Sequence, residues 1–204
     1  MRVLIATSNQ GKLRDFAGAA AVYGISVAGL ENFANLPEAV EDGATFEENA
    51  RKKAEHYSQF AAGDLVLADD SGLAVDALGG APGVYSARYA AQEPTGNSSD
   101  AANNAKLLRE LQAVSVPERT GRFVCVISAA REGREVTSFR GEAAGVILCE
   151  ARGSFGFGYD PLFHLPELDK SFAELTPEEK ALVSHRGEAL RKFLEWARKQ
   201  GEQK

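Results

Sequence analysis

A short apolar run, Leu65 to Ala68, stops on two adjacent carboxylates, Asp69 and Asp70, which are followed by Ser71 and Gly72. The run reads as a buried strand, so the chain is built around a sheet. In sheet-based enzymes the carboxyl end of a strand is where ligands sit. Side chains alternate along a strand, so Asp69 and Asp70 point to opposite faces if the strand continues through them, and they then have different jobs. One use of such a stretch is a carboxylate that binds a divalent cation and activates a water. Another is a solvated strand-end turn, because Asp, Ser and Gly are all turn formers. The local pattern serves either.

The chain opens on a second apolar run, Arg2 to Ala6, interrupted by the polar Thr7-Ser8-Asn9-Gln10-Gly11-Lys12. Leu13, Phe16, Ala17, Ala20 and Tyr23 then recur at helical spacing, with Gly24 as the stop. Strand, polar loop and helix in that order bring backbone N–H groups, Ser8, Asn9 and Lys12 to a positive helix end, which suits a phosphate. The G-x-x-x-x-G-K spacing of a Walker A loop is missing, and a turn capped by Ser8 or Asn9 accounts for the same residues. Residues 26–44 read as a strand and a loop carrying Pro37, Glu38, Glu41, Asp42 and Gly43. Those carboxylates are either solvated loop charge or the source of one metal ligand. Thr45 opens a helix with Glu48 in capping-box position, and Asn49 and Lys53, four apart, share one of its faces.

Gly79-Gly80-Ala81-Pro82-Gly83 is a loop, and Asn97 to Asp100 a turn and cap ahead of a helix through Leu107, Leu108 and Leu111. Residues 121–150 read as an antiparallel pair of strands turned at Arg131-Glu132-Gly133-Arg134, with Gly141 and Gly145 as bulges or bends. The stretch from Gly153 to Pro161 mixes Phe155, Phe157 and Tyr159 with glycines and one acid, Asp160. Aromatic rings in a flexible glycine-rich loop suit stacking on a planar base, with a polar group reading its edge, and a packed surface loop with a buried Phe suits the same composition. Thr176-Pro177-Glu178-Glu179 is a capping box with Pro at the first helical position, and that helix carries Lys180. Ser184-His185-Arg186-Gly187 opens the last helix, so His185 and Arg186 stand at an end where cations oppose the macrodipole, as ligand-facing groups do. Residues 201–204 read as a frayed tail.

The net charge of −6, from 23 basic against 29 acidic residues, argues against bulk binding to nucleic acid or anionic membranes while leaving room for a local basic pocket. Apolar runs fall well short of the ~18 residues of a membrane span. Cys125 and Cys149 lie in apolar runs and read as buried, reduced and inert; neither belongs to a C-x-x-C pair. A cytoplasmic location is the simplest expectation.

Taken in order, Thr7-Ser8-Asn9 with Lys12, Glu41, Glu48-Asn49-Ala50 with Lys53-Ala54, Asp69 to Leu73, Gly80 to Arg88, Gly156 to Pro161 and Ser184 to Gly187 resemble one family. It is the inosine triphosphate pyrophosphatase family, and the likeness spans nearly the whole chain. The resemblance implies an elongated α/β protein, a mixed central sheet flanked by helices, with the active-site cleft between two lobes of a single pyrophosphatase domain spanning 1–204. It implies a homodimer that uses Mg2+ to hydrolyse ITP, dITP and XTP to the monophosphate and pyrophosphate, clearing the nucleotide pool of purines that would otherwise enter DNA and RNA. Carried onto this chain, Asp70 is the general base, with Glu41 and Asp70 the metal carboxylates. Thr7, Ser8, Asn9, Gln10, Gly11, Lys12, Lys53, Ser71 and Lys180 bind substrate, the lysines neutralising the triphosphate. Phe157, with Gly158 and Tyr159 beside it, stacks on the purine, whose edge is read by Asp160, His185 and Arg186.

Overall fold

The computed structural model describes residues 2–7, 13, 16, 20, 25–91 and 96–202. The polar loop Ser8, Asn9, Gln10, Gly11 and Lys12 lies outside the described residues. Seven strands share one sheet in the order β2-β1-β3-β4-β5-β6-β7. They are β1 (Arg2–Ile5), β2 (Ser26–Gly29), β3 (Leu65–Val75), β4 (Thr120–Arg131), β5 (Arg134–Ile147), β6 (Phe163–Leu165) and β7 (Lys170–Ser171). β1 pairs in parallel with β2 and β3, whereas β5–β6 and β6–β7 are antiparallel, so the sheet is mixed. Parallel neighbours need long crossovers. Leu13, Phe16 and Ala20 are helical between β1 and β2, and the helix Phe46–Ser58 lies between β2 and β3. β4 and β5 are joined by Glu132 (φ 51) and Gly133 (φ 78), the two positive dihedrals that a tight right-twisted hairpin requires.

β3 does not end on the acidic pair. It runs 11 residues, straight through Asp69, Asp70, Ser71 and Gly72, because apolar packing resumes beyond them at Leu73 and Val75, both wholly buried. Ser86 Oγ also accepts the Leu73 N–H at 2.9 Å, and a Cβ on Gly72 would lie 2.6 Å from the Gly83 carbonyl. Tertiary contacts therefore override the turn propensity of Asp-Ser-Gly. At Gly145 a Cβ would sit 2.5 Å from the His164 carbonyl, so the glycine lets β6 approach.

The chain divides into two compact units, residues 1–70, 125–141 and 186–204 in the first, residues 71–124 and 142–185 in the second. The first unit has a core in which Val3, Ile5, Leu65, Leu67 and Ile127 meet Leu190, Phe193 and Leu194 of the helix His185–Glu202. On a second cluster, Leu4, Val66 and Ala130 pack with Ala54 and Tyr57 of the helix Phe46–Ser58. The second unit is built on Leu73, Val75, Leu107, Phe123, Phe163 and Phe172. Each such large side chain contributes about 1.5–3 kcal/mol on burial. The final helix continues through Glu202, so the expected frayed tail is helical that far. Cys125 is buried as expected, but Cys149 is exposed, because it lies just past the end of β5. No helix among the described residues is long and apolar enough to cross a membrane.

Candidate active site

In the first unit, the Phe46–Ser58 helix begins where the sequence places it. Thr45 caps it, accepting the Glu48 N–H at 3.1 Å. Glu48 in turn accepts the N–H of Ala44 at 2.7 Å, one residue before the cap, which ties the preceding loop to the helix. One turn in, Asn49 is 1 % exposed and uses both ends of its amide. Its oxygen accepts the Gly43 N–H at 2.8 Å and its nitrogen donates to Asp70 Oδ2 at 3.2 Å. A turn later, Lys53 Nζ donates to Glu41 Oε2 at 2.9 Å and reaches Asp70 Oδ1 at 3.5 Å. Loop, helix and strand thus converge on one carboxylate–ammonium cluster.

The charges at this cluster are unevenly matched. Burial raises the Asp70 carboxyl above its ordinary range; the Lys53 ammonium opposes that rise, and the negative charges of Glu41 and Asp69 add to it. For Lys53, desolvation works against the charged form but is outweighed by Asp70, Glu41 and Asp69, so its pKa is raised. A carboxylate whose proton affinity is raised by burial, and which is held in place by an amide and an ammonium, has the geometry of a general base. Asp70 and Glu41 are hard oxygen donors that converge on one ammonium, and a magnesium-like cation is commonly held by one or two carboxylates with waters completing its shell. Among the described residues no third such side chain joins them, and the Lys53 ammonium stands between the two carboxylates.

Asp69 has a different partner, as alternation requires. Its Oδ2 lies 3.7 Å from Arg186 Nη2, and both side chains are largely buried. Arg186 begins the first unit's share of the last helix, so the Asp69 face of β3 is tied to the carboxyl-terminal segment. Thr7 follows Ala6, whose N–H donates to the Leu67 carbonyl at 2.9 Å and carries the parallel pairing one residue beyond β1.

The second unit contains the aromatic loop, and its backbone is pinned rather than flexible. Asp160, 3 % exposed, accepts the Phe157 N–H on Oδ2 at 2.9 Å, and the same oxygen takes the Lys180 ammonium in an ion pair. Gly156, at φ +78, leaves the room that this carboxylate occupies. Lys180 Nζ also stands 5.5 Å from the centre of the Phe157 ring, which is 53 % exposed. Lys180, expected on the triphosphate, thus lies under the aromatic ring. Tyr159 is buried, and its hydroxyl donates to the Ser86 carbonyl at 2.8 Å. His185, 4 % exposed, stacks on Phe123 with ring centres 4.8 Å apart and planes 10° from parallel. Its setting is a stack of core aromatics, which its place at a helix start did not foretell. Ser71 follows Asp70 on β3 and is half-buried.

Of the residues expected from sequence, the first unit brings Glu41, Lys53 and Asp70 together, and the second brings together Phe157, Asp160 and Lys180. Asn49 was not among the expected site residues, although its four-residue spacing from Lys53 already marked it.

The fold and these clusters define an α/β protein with a lysine-bridged carboxylate pair and an aromatic ring on a pinned glycine-rich loop. The chain belongs to the Ham1 family, whose model matches residues 3–196. It is 51% identical over 189 residues to the dITP/XTP pyrophosphatase of Geobacter sulfurreducens, covering 93% of this chain and 92% of that one. It is 49% identical over 195 residues to the protein of the same name from Desulforamulus reducens, covering 96% and 94%. Among solved structures, the Staphylococcus aureus Ham1 protein superposes with a TM-score of 0.85 at 41% identity, covering 99% of this chain and 100% of that one. A Ham1 protein from Coxiella burnetii gives 0.86 at 36% identity, covering 97% and 98%.

Proposed function

We propose that this chain is a nucleoside triphosphate pyrophosphatase that hydrolyses deaminated purine nucleotides, dITP, ITP and XTP, to the monophosphate and pyrophosphate, and so keeps them out of DNA and RNA. Near-full-length relatives at about half identity carry the name dITP/XTP pyrophosphatase. The observation that carries the reading is the fixing of Asp70 between Asn49 and Lys53. A protein that only bound nucleotides would have little use for a half-buried carboxylate held between an amide and an ammonium.

In this reading Asp70 orients a water and takes its proton as the water attacks the anhydride between the α- and β-phosphates. Lys53 screens the charge of the triphosphate, with Thr7, Ser8, Asn9, Gln10, Gly11, Lys12 and Ser71 as further donors. Glu41 and Asp70 would hold magnesium, which when bound would neutralise phosphate charge. Phe157 stacks on the purine with Gly158 and Tyr159 beside it, Asp160, His185 and Arg186 read its edge, and Lys180 adds positive charge for the triphosphate.

Selectivity follows from donors and acceptors. Hypoxanthine and xanthine present a 6-oxo acceptor that a cationic donor satisfies, whereas adenine presents an amino donor and leaves the protein's donor unpaired. A mismatch of that kind discriminates by about 10⁴-fold, while shape alone gives roughly 10²-fold. Residues 1–204 act as a single pyrophosphatase domain, cytoplasmic and homodimeric.

The test is pyrophosphate release with magnesium from ITP, XTP, dITP, GTP, ATP and a pyrimidine triphosphate, beside an Asp70→Asn control. Fast release from the deaminated purines alone, reduced about 10²- to 10⁴-fold in the control, is expected. Equal rates on all six substrates, or full activity in Asp70→Asn, would overturn the reading.

A further inference from the structure

Both backbone groups of Gly158 are held by one helix. The Gly158 N–H donates to Asp100 Oδ2 at 2.7 Å, and its carbonyl accepts from Asn104 Nδ2 at 2.9 Å. Asp100 and Asn104 are four residues apart in the helix Asp100–Glu110 and so share a face. Neither bond serves the helix itself. Its cap is Ser99, whose hydroxyl accepts the Ala102 N–H at 3.2 Å. Asn is a poor residue for a helix interior, and the Oδ1 of Asn104 is buried with no hydrogen bond among the described residues. An amide that leaves its own acceptor unsatisfied carries a cost. What it provides is the donor to Gly158.

Gly158 is the neighbour of Phe157, whose backbone is equally committed. Its N–H donates to Asp160 Oδ2 at 2.9 Å and its carbonyl accepts the Asp160 N–H at 3.2 Å. Yet the ring these four bonds support is 53 % exposed. Packing gains little from so much fixing of a residue that stays more than half exposed. A ring face set in advance of its partner avoids an ordering cost on binding.

We propose that Asp100 and Asn104 are positioning residues for the base: by holding the N–H and carbonyl of Gly158 they set the plane of the Phe157 ring, and through it affinity and purine preference. This inference rests on Phe157 stacking on the base.

The test is a cycle in the full chain comparing Asp100→Ala/Asn104→Ala, Phe157→Ala and the combination, by steady-state kinetics with ITP and GTP. The double variant is expected to raise KM for ITP about tenfold with kcat held within about twofold, and to narrow the ITP-over-GTP ratio. That effect should vanish in the Phe157→Ala background. Asp100→Asn, which keeps an acceptor for Gly158, should recover most of it. If Phe157→Ala raises KM while the double variant does not, or if the double variant acts equally in both backgrounds, the positioning role is overturned and stacking stands. If Phe157→Ala itself changes neither KM nor preference, stacking falls and the positioning role with it. Should the double variant fail to fold, Asn104→Ala alone, with the Ser99 cap and Asp100 intact, is held to the same outcomes.

Discussion

Asn49 joins a loop to the candidate general base: its amide oxygen accepts the Gly43 N–H at 2.8 Å while its nitrogen donates to Asp70 Oδ2 at 3.2 Å. The glycine is required, since a Cβ at position 43 would lie 2.7 Å from that same amide oxygen. Asn49→Ala leaves the Gly43 N–H unpaired and Asp70 held by Lys53 alone. The expected cost is about 1–3 kcal/mol of stability, together with a fall in kcat larger than any change in KM. Thermal unfolding and pyrophosphate-release kinetics on the same preparation check both; wild-type kcat would show that Asn49 does not orient Asp70.

Gly72→Ala tests the continuity of β3. Its new methyl would meet the Gly83 carbonyl 2.6 Å away and crowd Ser86, the acceptor of the Leu73 N–H. Overpacking of this kind costs about 1–3 kcal/mol. Denaturant unfolding should show a lower midpoint with an unchanged slope.

Arg119 is 5 % exposed and donates to three carbonyls, Leu111 at 2.8 Å, Val114 at 3.0 Å and Leu148 at 3.4 Å. It closes the end of the Asp100–Glu110 helix and the segment after it. Arg119→Met keeps much of the bulk and removes every donor, so destabilisation of about 2–3 kcal/mol is expected from the orphaned carbonyls. Chemical denaturation measures it, and a change below about 0.5 kcal/mol would show that those carbonyls find other donors.

Two capping carboxylates give the fold an acid limb. The Glu174 carboxyl is held below its usual 4.5 by the Ser171 N–H, with Arg152 adding to the effect. Glu179 is held below 4.5 by the Thr176 N–H, with Lys170 adding to it. Because the folded state favours the ionised forms, their stabilisation is complete above about pH 4.5 and is lost as pH falls through the lower folded values. Glu174→Gln/Glu179→Gln should therefore show a smaller drop in Tm than the wild type on acidification below pH 4.5, read by thermal scans at stepped pH.

Features set by near neighbours were legible in the sequence. The turn at Glu132-Gly133, the Thr176/Glu179 capping box and the shared face of Asn49 and Lys53 all arise within four residues, where spacing fixes geometry. Features set by distant partners were not. β3 runs on past Asp70 because Ser86 receives its backbone, and Cys149 is exposed because β5 stops short of it. Lys180 lies beneath Phe157 because Asp160, 20 residues earlier, attracts it. For the candidate site, residue types pointed to the chemistry, while their pairing depended on the fold.

The core of the first unit joins segments far apart in sequence, with Val3 and Ile5 in one cluster with Phe193 and Leu194. During synthesis, Val3 and Ile5 leave the ribosome long before Phe193 and Leu194, and Asp69 long before Arg186. A growing chain therefore cannot complete this core until its final helix has emerged. A ribosome stalled ahead of that helix holds a chain whose Val3 and Ile5 lack the cover of Leu190, Phe193 and Leu194.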